Sequence, residues 1–308
     1  MIRNVLLVGY GSIGTRHGAL LKDAGCRVAV VSANKTCPHE RFDAIEDALA
    51  DRDFFGVVVA TPSARHIDDL KTLAEAGYRG HVLVEKPLFS KIDAVPPGLS
   101  SKINVAYNLR YHPLLERIKG LLSGCRLYSA CAYVGQYLPQ WRPDRDYRRT
   151  YSASKDAGGG VLRDLSHELD YLQWLTGPWE SVSAWGGGVS SLEIDSEDVF
   201  GLVLKTERCP LIQVHMNYFD LCPGGRRELL INAEGISLHG DFNRGFLSIN
   251  GGEPEIFKSE RNHTYQAQMQ DWLQGVDGTL CTYEQGLATV NLIAAAEQAT
   301  WRRCWVDR

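Results

Sequence analysis

The stretch Val5-Leu6-Leu7-Val8-Gly9-Tyr10-Gly11-Ser12-Ile13-Gly14-Thr15-Arg16-His17 carries an apolar run straight into the pattern G-x-G-x-x-G and from there into a helical sequence. Context matters more than the glycines themselves, because 30 glycines in 308 residues produce such spacings by chance. Ile2 to Val8 reads as a strand buried on both faces, and Gly14 to Ala24 as a helix stopped by Gly25. In that frame Gly9 makes a tight turn, Gly11 lets the backbone approach a diphosphate, and Gly14 lets the helix pack on the strand. The N–H groups of Ser12, Ile13 and Gly14, with the helix dipole behind them, favour an anion there. These features point to the first βαβ unit of a dinucleotide-binding domain.

The rest of the chain continues the pattern and then leaves it. Strand-like runs near 2–8, 27–31, 56–60, 81–85 and 102–106 alternate with helical ones near 14–24, 42–50, 64–77 and 89–94, as in a doubly wound parallel sheet. After a helix near 112–122 come strands near 126–138, 181–189, 197–206, 209–219, 227–239 and 245–249, with helices only near 159–175, 264–275 and 284–302. Strands in succession without helices between them predict an open, mostly antiparallel sheet. The expected fold class is α/β: an N-terminal Rossmann domain, residues 1–110, followed by an α+β domain, residues 111–308. The stretch 139–157 is the longest segment with no periodicity, and loops of that length tend to be functional or disordered.

Charge and composition exclude several classes. A net charge of −4 and a pI near 6.1 give no reason to expect a nucleic-acid or membrane-surface partner. No apolar run approaches the roughly 18 residues that span a bilayer, and the N-terminus enters its first strand without a signal sequence, so the expected location is cytoplasmic. Eight scattered cysteines form no C-x-x-C and have no histidines at zinc spacing; they are expected to be reduced, and no metal site is expected.

Two constellations carry chemistry. Val84-Glu85-Lys86-Pro87 places a lysine at the carboxyl edge of the fourth strand, where open α/β sheets bind ligands; there it can hydrogen-bond a substrate hydroxyl and the nicotinamide ribose and stabilise alkoxide character. Gly158-Gly159-Gly160 leads into Val161 to Tyr171, where Leu162, Leu165, Leu169 and Leu172 form an apolar stripe and Asp164, His167 and Tyr171 share the opposite face. An imidazole there is suited to take a hydroxyl proton, and a carboxylate one turn away can orient it. Taken alone, each also reads as ordinary surface chemistry: a lysine before a turn, and a solvated helix face.

Together, the N-terminal glycine pattern, Glu85-Lys86-Pro87, and the G-G-G-x-x-x-D…H run at 158–167 resemble the Gfo/Idh/MocA oxidoreductases over nearly the whole chain. Gln136 to Pro143, Tyr147, Tyr151 to Ser154 and Gly158 to Tyr171 look more narrowly like a bacterial branch associated with surface-sugar and nonulosonate pathways. The resemblance implies NAD(P)-dependent oxidation or reduction of a sugar, cyclitol or related polyol. It makes Lys86 the catalytic lysine, His167 the general acid/base and Asp164 the aspartate of the same motif. It also implies a homodimer or homotetramer assembled through the outer face of the C-terminal sheet. One departure stands out: His167 follows Asp164 by three residues rather than with the commoner D-x-G-x-H spacing, which leaves Asp170 as a further proton-acceptor candidate.

Around these residues, Ser12, Ile13, Arg16, Thr61, Pro62, Glu85 and Asn108 are expected to line the cofactor with the three glycines. The second strand ends in Ser32-Ala33-Asn34-Lys35 and lacks the acid that accepts from a ribose 2′-hydroxyl; Ser32, Asn34 and Lys35 could hold a 2′-phosphate instead, so NADP is expected over NAD. Four arginines and three aromatics between Trp141 and Tyr151 suggest an anionic, nucleotide-linked or carboxylated sugar substrate, met by Trp141, Arg142, Arg145 and Tyr147 together with Lys86, Asp164 and His167. A solvated loop or a subunit contact is the alternative for that segment. The function expected is hydride transfer to or from a sugar-derived alcohol or ketone. Alternatives are transient oxidation that enables an elimination or epimerisation, and a cofactor-binding sensor without chemistry.

Overall fold

The computed structural model describes residues 2–34, 36–96, 98–275 and 278–308. It divides into two compact units that do not follow a single cut at 110/111: Met1–Asn108 with Asn262–Leu287, and Leu109–Arg261 with Ala288–Arg308. Residues 262–287, expected in the second domain, thus return to the first, and the division falls inside the long helix Tyr283–Arg302.

The first unit is built on the apolar strands expected. Across its sheet the order is Cys281–Thr282, Ile103–Val105, His81–Val84, Gly56–Val59, Asn4–Val8, Arg27–Val31, Glu40–Phe42, all parallel except the two-residue strand at 281–282. Val5–Leu7, Val57–Val59 and Val82–Val84 are wholly buried, as strands covered on both faces must be. The strand order reverses between Asn4–Val8 and Gly56–Val59, so the crevice at which doubly wound sheets bind ligands opens above those two carboxyl ends. The expected helix near 89–94 is absent, and Pro96 biases Val95 away from helical geometry. A short 3₁₀ turn, Ser100–Lys102, leads directly into the next strand.

The second unit carries a nine-stranded sheet ordered Glu255–Ile256, Phe246–Ile249, Ile236–Asp241, Arg226–Ala233, Leu127–Gly135, Ile212–Asn217, Val199–Thr206, Trp179–Gly187, Val306–Asp307. Its pairs are antiparallel apart from Ile212–Asn217 on Leu127–Gly135. Alternation sorts its faces: Leu202, Val214, Ala132 and Leu229 lie in register toward a core shared with Leu115, Leu165, Leu169 and Leu172, while Trp185, His215 and Tyr133 lie in register on the other face. The single strand expected at 227–239 is a hairpin, turned at Glu234-Gly235 where Gly235 takes φ +73°. The helix expected at 159–175 is two, Val161–Asp164 and His167–Thr176, because the bond from the Ser166 N–H to the Arg163 carbonyl tightens the chain between them. No described helix is long and apolar enough to cross a membrane.

Candidate active site

In the first unit the glycine turn has the geometry its spacing predicts. Gly9 sits at φ +94°, and a Cβ on it would lie 2.8 Å from the backbone of Ala60 and Thr61. A Cβ on Gly14 would come within 2.2 Å of the Gly9 carbonyl, whereas one on Gly11 would meet nothing within 4 Å. Gly9 and Gly14 therefore serve the fold, and Gly11 leaves open space. The helix Ser12–Asp23 has Gly11 at its N-cap, no side-chain cap bond and no acid in its first turn, so its leading N–H groups carry no competing carboxylate. These residues fit the diphosphate of a dinucleotide.

Thr61 and Pro62 follow directly, and the Thr61 hydroxyl donates to Asp69 at 2.5 Å. Glu85 and Lys86 continue the next strand. The Glu85 carboxylate is buried; Oε1 lies 2.7 Å from Nε2 of His17, three residues beyond Gly14, and Oε2 accepts from the Lys86 backbone N–H at 3.2 Å. Lys86 is half-buried and precedes a cis proline. A second histidine works from the other side: His66 Nε2 is 2.9 Å from the Thr61 carbonyl, and Nδ1 is 3.1 Å from the carbonyls of both Pro87 and Leu88. Burial pushes the His66 ring down in pKa, with the facing carbonyls opposing that shift. Neither histidine was singled out from the sequence; their place three residues after Gly14 and four after Pro62 was the available signal. Asn108 is buried and donates to the Thr264 hydroxyl at 2.7 Å.

At the end of the second strand, Ser32 Oγ accepts from the Asn34 N–H at 3.0 Å, and Asn34 Oδ1 accepts from Thr36. Arg16 lies over the Tyr265 ring at 4.7 Å. Lys35, also expected here, lies outside the described residues. Sequence reasoning missed Arg41, which comes in on the three-residue strand Glu40–Phe42: its guanidinium donates to the Ser32 carbonyl at 3.2 Å and pairs with Asp43.

In the second unit the glycine run makes room for the helix that carries the histidine. A Cβ on Gly159 would strike the Tyr151 carbonyl at 2.2 Å, and one on Gly160, at φ +106°, would strike the Glu197 carboxylate at 2.2 Å. The solvated polar face expected on this helix is not there. Asp164 is buried with the Tyr218 hydroxyl donating to it at 2.7 Å, Tyr171 is buried against Phe242 with ring centroids 5.8 Å apart, and only His167 remains half-exposed, at the first position of its helix. Burial and the neighbouring Asp164 charge push the Tyr218 hydroxyl well above its ordinary value. Asp170, the further proton-acceptor candidate, is bound bidentately by Arg110 at 2.9 and 2.7 Å with both partners buried, which commits it to structure. Glu168 is likewise buried, 2.8 Å from Arg227.

The segment 139–157 is ordered into short 3₁₀ turns at Leu138–Gln140, Tyr147–Arg149 and Tyr151–Ala153. Trp141 packs edge-on to Tyr218 with centroids 5.3 Å apart, which links this segment to Asp164. The Tyr147 hydroxyl accepts from the Glu193 N–H at 3.3 Å. Of the four arginines, Arg148 is held by Asp146 and Glu193, and Arg149 lies 4.0 Å from Asp146. Arg142 and Arg145 are exposed and form no ion pair among the described residues.

Residues 3–96 match the model for the oxidoreductase family with an NAD-binding Rossmann fold, and residues 126–239 match the GFO/IDH/MocA C-terminal domain. The chain belongs to the Gfo/Idh/MocA family of NAD-binding oxidoreductases. Among curated relatives, inositol 2-dehydrogenase 1 of Mycolicibacterium vanbaalenii is 31% identical over 194 residues, 56% of this chain and 52% of that one. The rhizopine catabolism protein MocA of Rhizobium meliloti is 28% identical over 148 residues, 44% of this chain and 42% of its own. The chain thus matches about half the length of these relatives, or less. In fold it is similar over its full length to the WlbA dehydrogenase from Bordetella pertussis in complex with NADH and UDP-GlcNAcA, with a TM-score of 0.81, 21% identity and 99% of that chain covered. It is also similar to a levoglucosan dehydrogenase in complex with NADH, with a TM-score of 0.85, 18% identity and 99% of that chain covered.

Proposed function

We propose that this family member is a dehydrogenase or reductase that moves a hydride between nicotinamide C4 and a carbon of a sugar-derived alcohol or ketone, acting in the cytoplasm. The observation that carries the reading is the fastening of Lys86 beside the glycine turn, through the Glu85 carboxylate to His17 of the same helix. When bound, the cofactor supplies the hydride acceptor or donor. In the oxidative direction Lys86 holds the substrate oxygen and stabilises its alkoxide character, while His167 takes the hydroxyl proton. Asp164, fixed by Tyr218, keeps a buried carboxylate three residues before that histidine. Lys86→Ala or His167→Ala is expected to lower turnover about a hundredfold or more while cofactor affinity stays near wild type. A fully active His167→Ala would remove it from the proton step.

The substrate we infer is anionic, a nucleotide-linked or carboxylated sugar. Arg142 and Arg145 support this, because Asp146 and Glu193 are taken up by Arg148 and Arg149, and Trp141 and Tyr147 flank the two exposed arginines in sequence. The test pairs neutral sugars and cyclitols, myo-inositol and levoglucosan among them, with UDP-sugar acids, scored by product formation and by nicotinamide absorbance. Preference for the charged members, lost about tenfold or more in Arg142→Ala or Arg145→Ala, is the expected outcome. Turnover confined to neutral compounds would remove the segment from the site, and product without net absorbance change would indicate transient oxidation.

For the cofactor we infer a preference for NADP. Its support is the missing acid after Val31, the polar Ser32 and Asn34, and the Arg41 guanidinium at the Ser32 carbonyl, with Lys35 adjacent in sequence. Calorimetric titration should give tighter binding of NADP than of NAD, with the difference reduced in Arg41→Ala and in Lys35→Ala; equal or tighter NAD binding would reject the preference. Finally, we infer a homodimer or homotetramer formed through the outer sheet face, where Trp185 is 63% exposed and Leu230 42%. Light scattering should give two or four chains per particle, and Trp185→Arg should lower that number.

A further inference from the structure

We propose that His17 and His66 are positioning residues for Lys86: two buried imidazoles that fasten the residues on either side of it and so fix where its amine points. The inference rests on the reading of Lys86 as the group that touches substrate. Its observations are local to the first unit. Glu85, immediately before the lysine, is a buried carboxylate with one oxygen 2.7 Å from His17 and the other accepting the Lys86 N–H at 3.2 Å. Pro87 and Leu88, immediately after it, present their carbonyls to His66 at 3.1 Å. The two rings come from different places: His17 from the helix that follows the glycine turn, and His66 from the helix start after Thr61-Pro62, whose Thr61 carbonyl its other nitrogen meets at 2.9 Å. Both rings are 1% exposed.

Fold stability alone does not account for this arrangement. Val82-Leu83-Val84 is a fully buried apolar run, and an apolar residue at 85 would continue it without the desolvation that a buried carboxylate costs. The hydrogen-bonded contact supplies geometry instead. A lysine amine swings on a long flexible stem, so the origin and direction of that stem decide where the charge falls. Each neighbour of Lys86 is anchored to an element that also forms the cofactor crevice, His17 following Gly14 and His66 bridging back to Thr61. The lysine is therefore referenced to the same frame as the diphosphate-binding turn. A displacement of about 1 Å in a catalytic group lowers rates about a hundredfold.

The test compares leucine, which keeps bulk and loses the hydrogen bonds, with glutamine, which keeps polar reach. Without substrate, competitive acetylation followed by mass spectrometry reads the reactivity of Lys86 against Lys155 and Lys205 in wild type, His17→Leu, His17→Gln, His66→Leu and His66→Gln. The expected result is a change of about threefold or more at Lys86 in the leucine variants, recovery toward wild type in the glutamine variants, and no change at the two reference lysines. With a substrate that turns over, the leucine variants should lower kcat about 10- to 100-fold with KM for the cofactor nearly unchanged, and should cost nothing further in a Lys86→Met background. Wild-type labelling of Lys86, or an equal fractional loss of kcat in the Lys86→Met background, overturns the proposal. Where a leucine variant does not fold, His17→Asn or His66→Asn takes its place in the labelling measurement. If Lys86→Met itself keeps full activity, the reading of Lys86 fails, and the labelling still reports separately on the two histidines.

Discussion

Single residues in the glycine turn separate what the fold requires from what a ligand requires. Gly11 has φ −81° and ψ −162°, a conformation open to any residue, and a Cβ there would meet nothing within 4 Å. Gly11→Ala should therefore leave the unfolding free energy from urea titration within about 0.5 kcal/mol of wild type while weakening cofactor binding about tenfold or more in calorimetric titration. Gly14→Ala should behave differently, because its Cβ would fall 2.2 Å from the Gly9 carbonyl; a loss of about 1–3 kcal/mol in stability is expected before any effect on binding is considered. Equal stability of the two variants would mean that the helix can retreat from the turn. The same comparison applies to Asp170: a carboxylate next to the proposed catalytic histidine looks chemical in sequence, yet its bidentate partner Arg110 lies sixty residues earlier, a separation that no local spacing encodes.

At the scale of elements, legibility followed how local the deciding interaction was. Apolar runs such as Val57–Val59 and Val82–Val84, each closed by a turn, read directly as buried parallel strands, and the glycine pattern placed the first helix within two residues. The hairpin at Glu234-Gly235 escaped notice because hydrophobic alternation runs through the turn on both sides, leaving one glycine as the only mark of a reversal. The helix around His167 was read as amphipathic because its leucines share a stripe. Its opposite side is buried as well, by Phe242 against Tyr171 and by Tyr218 on Asp164, and both partners sit one residue past the ends of strands far along the chain. The short strand Glu40–Phe42 carries no apolar run, so Arg41 could not be placed beside Ser32 without coordinates. In the candidate site, the residues with a sequence motif were visible, whereas the two histidines bonded to the neighbours of Lys86 were not, because His17 sits inside a helix and His66 at the start of another with no motif to mark either.

For the whole molecule, the histidines set a pH dependence. Burial lowers the pKa of His39, His66, His81 and His215 below the ordinary 6.5. As pH falls through that value, the unfolded chain takes up protons at these rings before the folded one does, so unfolding becomes more favourable on the acid side. The unfolding temperature should thus decline as pH drops below about 6.5, and His215→Gln should flatten part of the decline; a midpoint independent of pH between neutrality and the low-pKa region would contradict the assignment. The return of residues 262–287 to the first unit has a consequence for synthesis. Asn108 bonds Thr264 there, and among the described residues the open side of the strand Ile103–Val105 is paired by Cys281–Thr282. A nascent chain leaving the ribosome therefore holds an unfinished nucleotide-binding sheet with a bare edge through more than 170 further residues, a window in which a chaperone covering that edge, or an early cofactor, would decide how much of the product escapes aggregation.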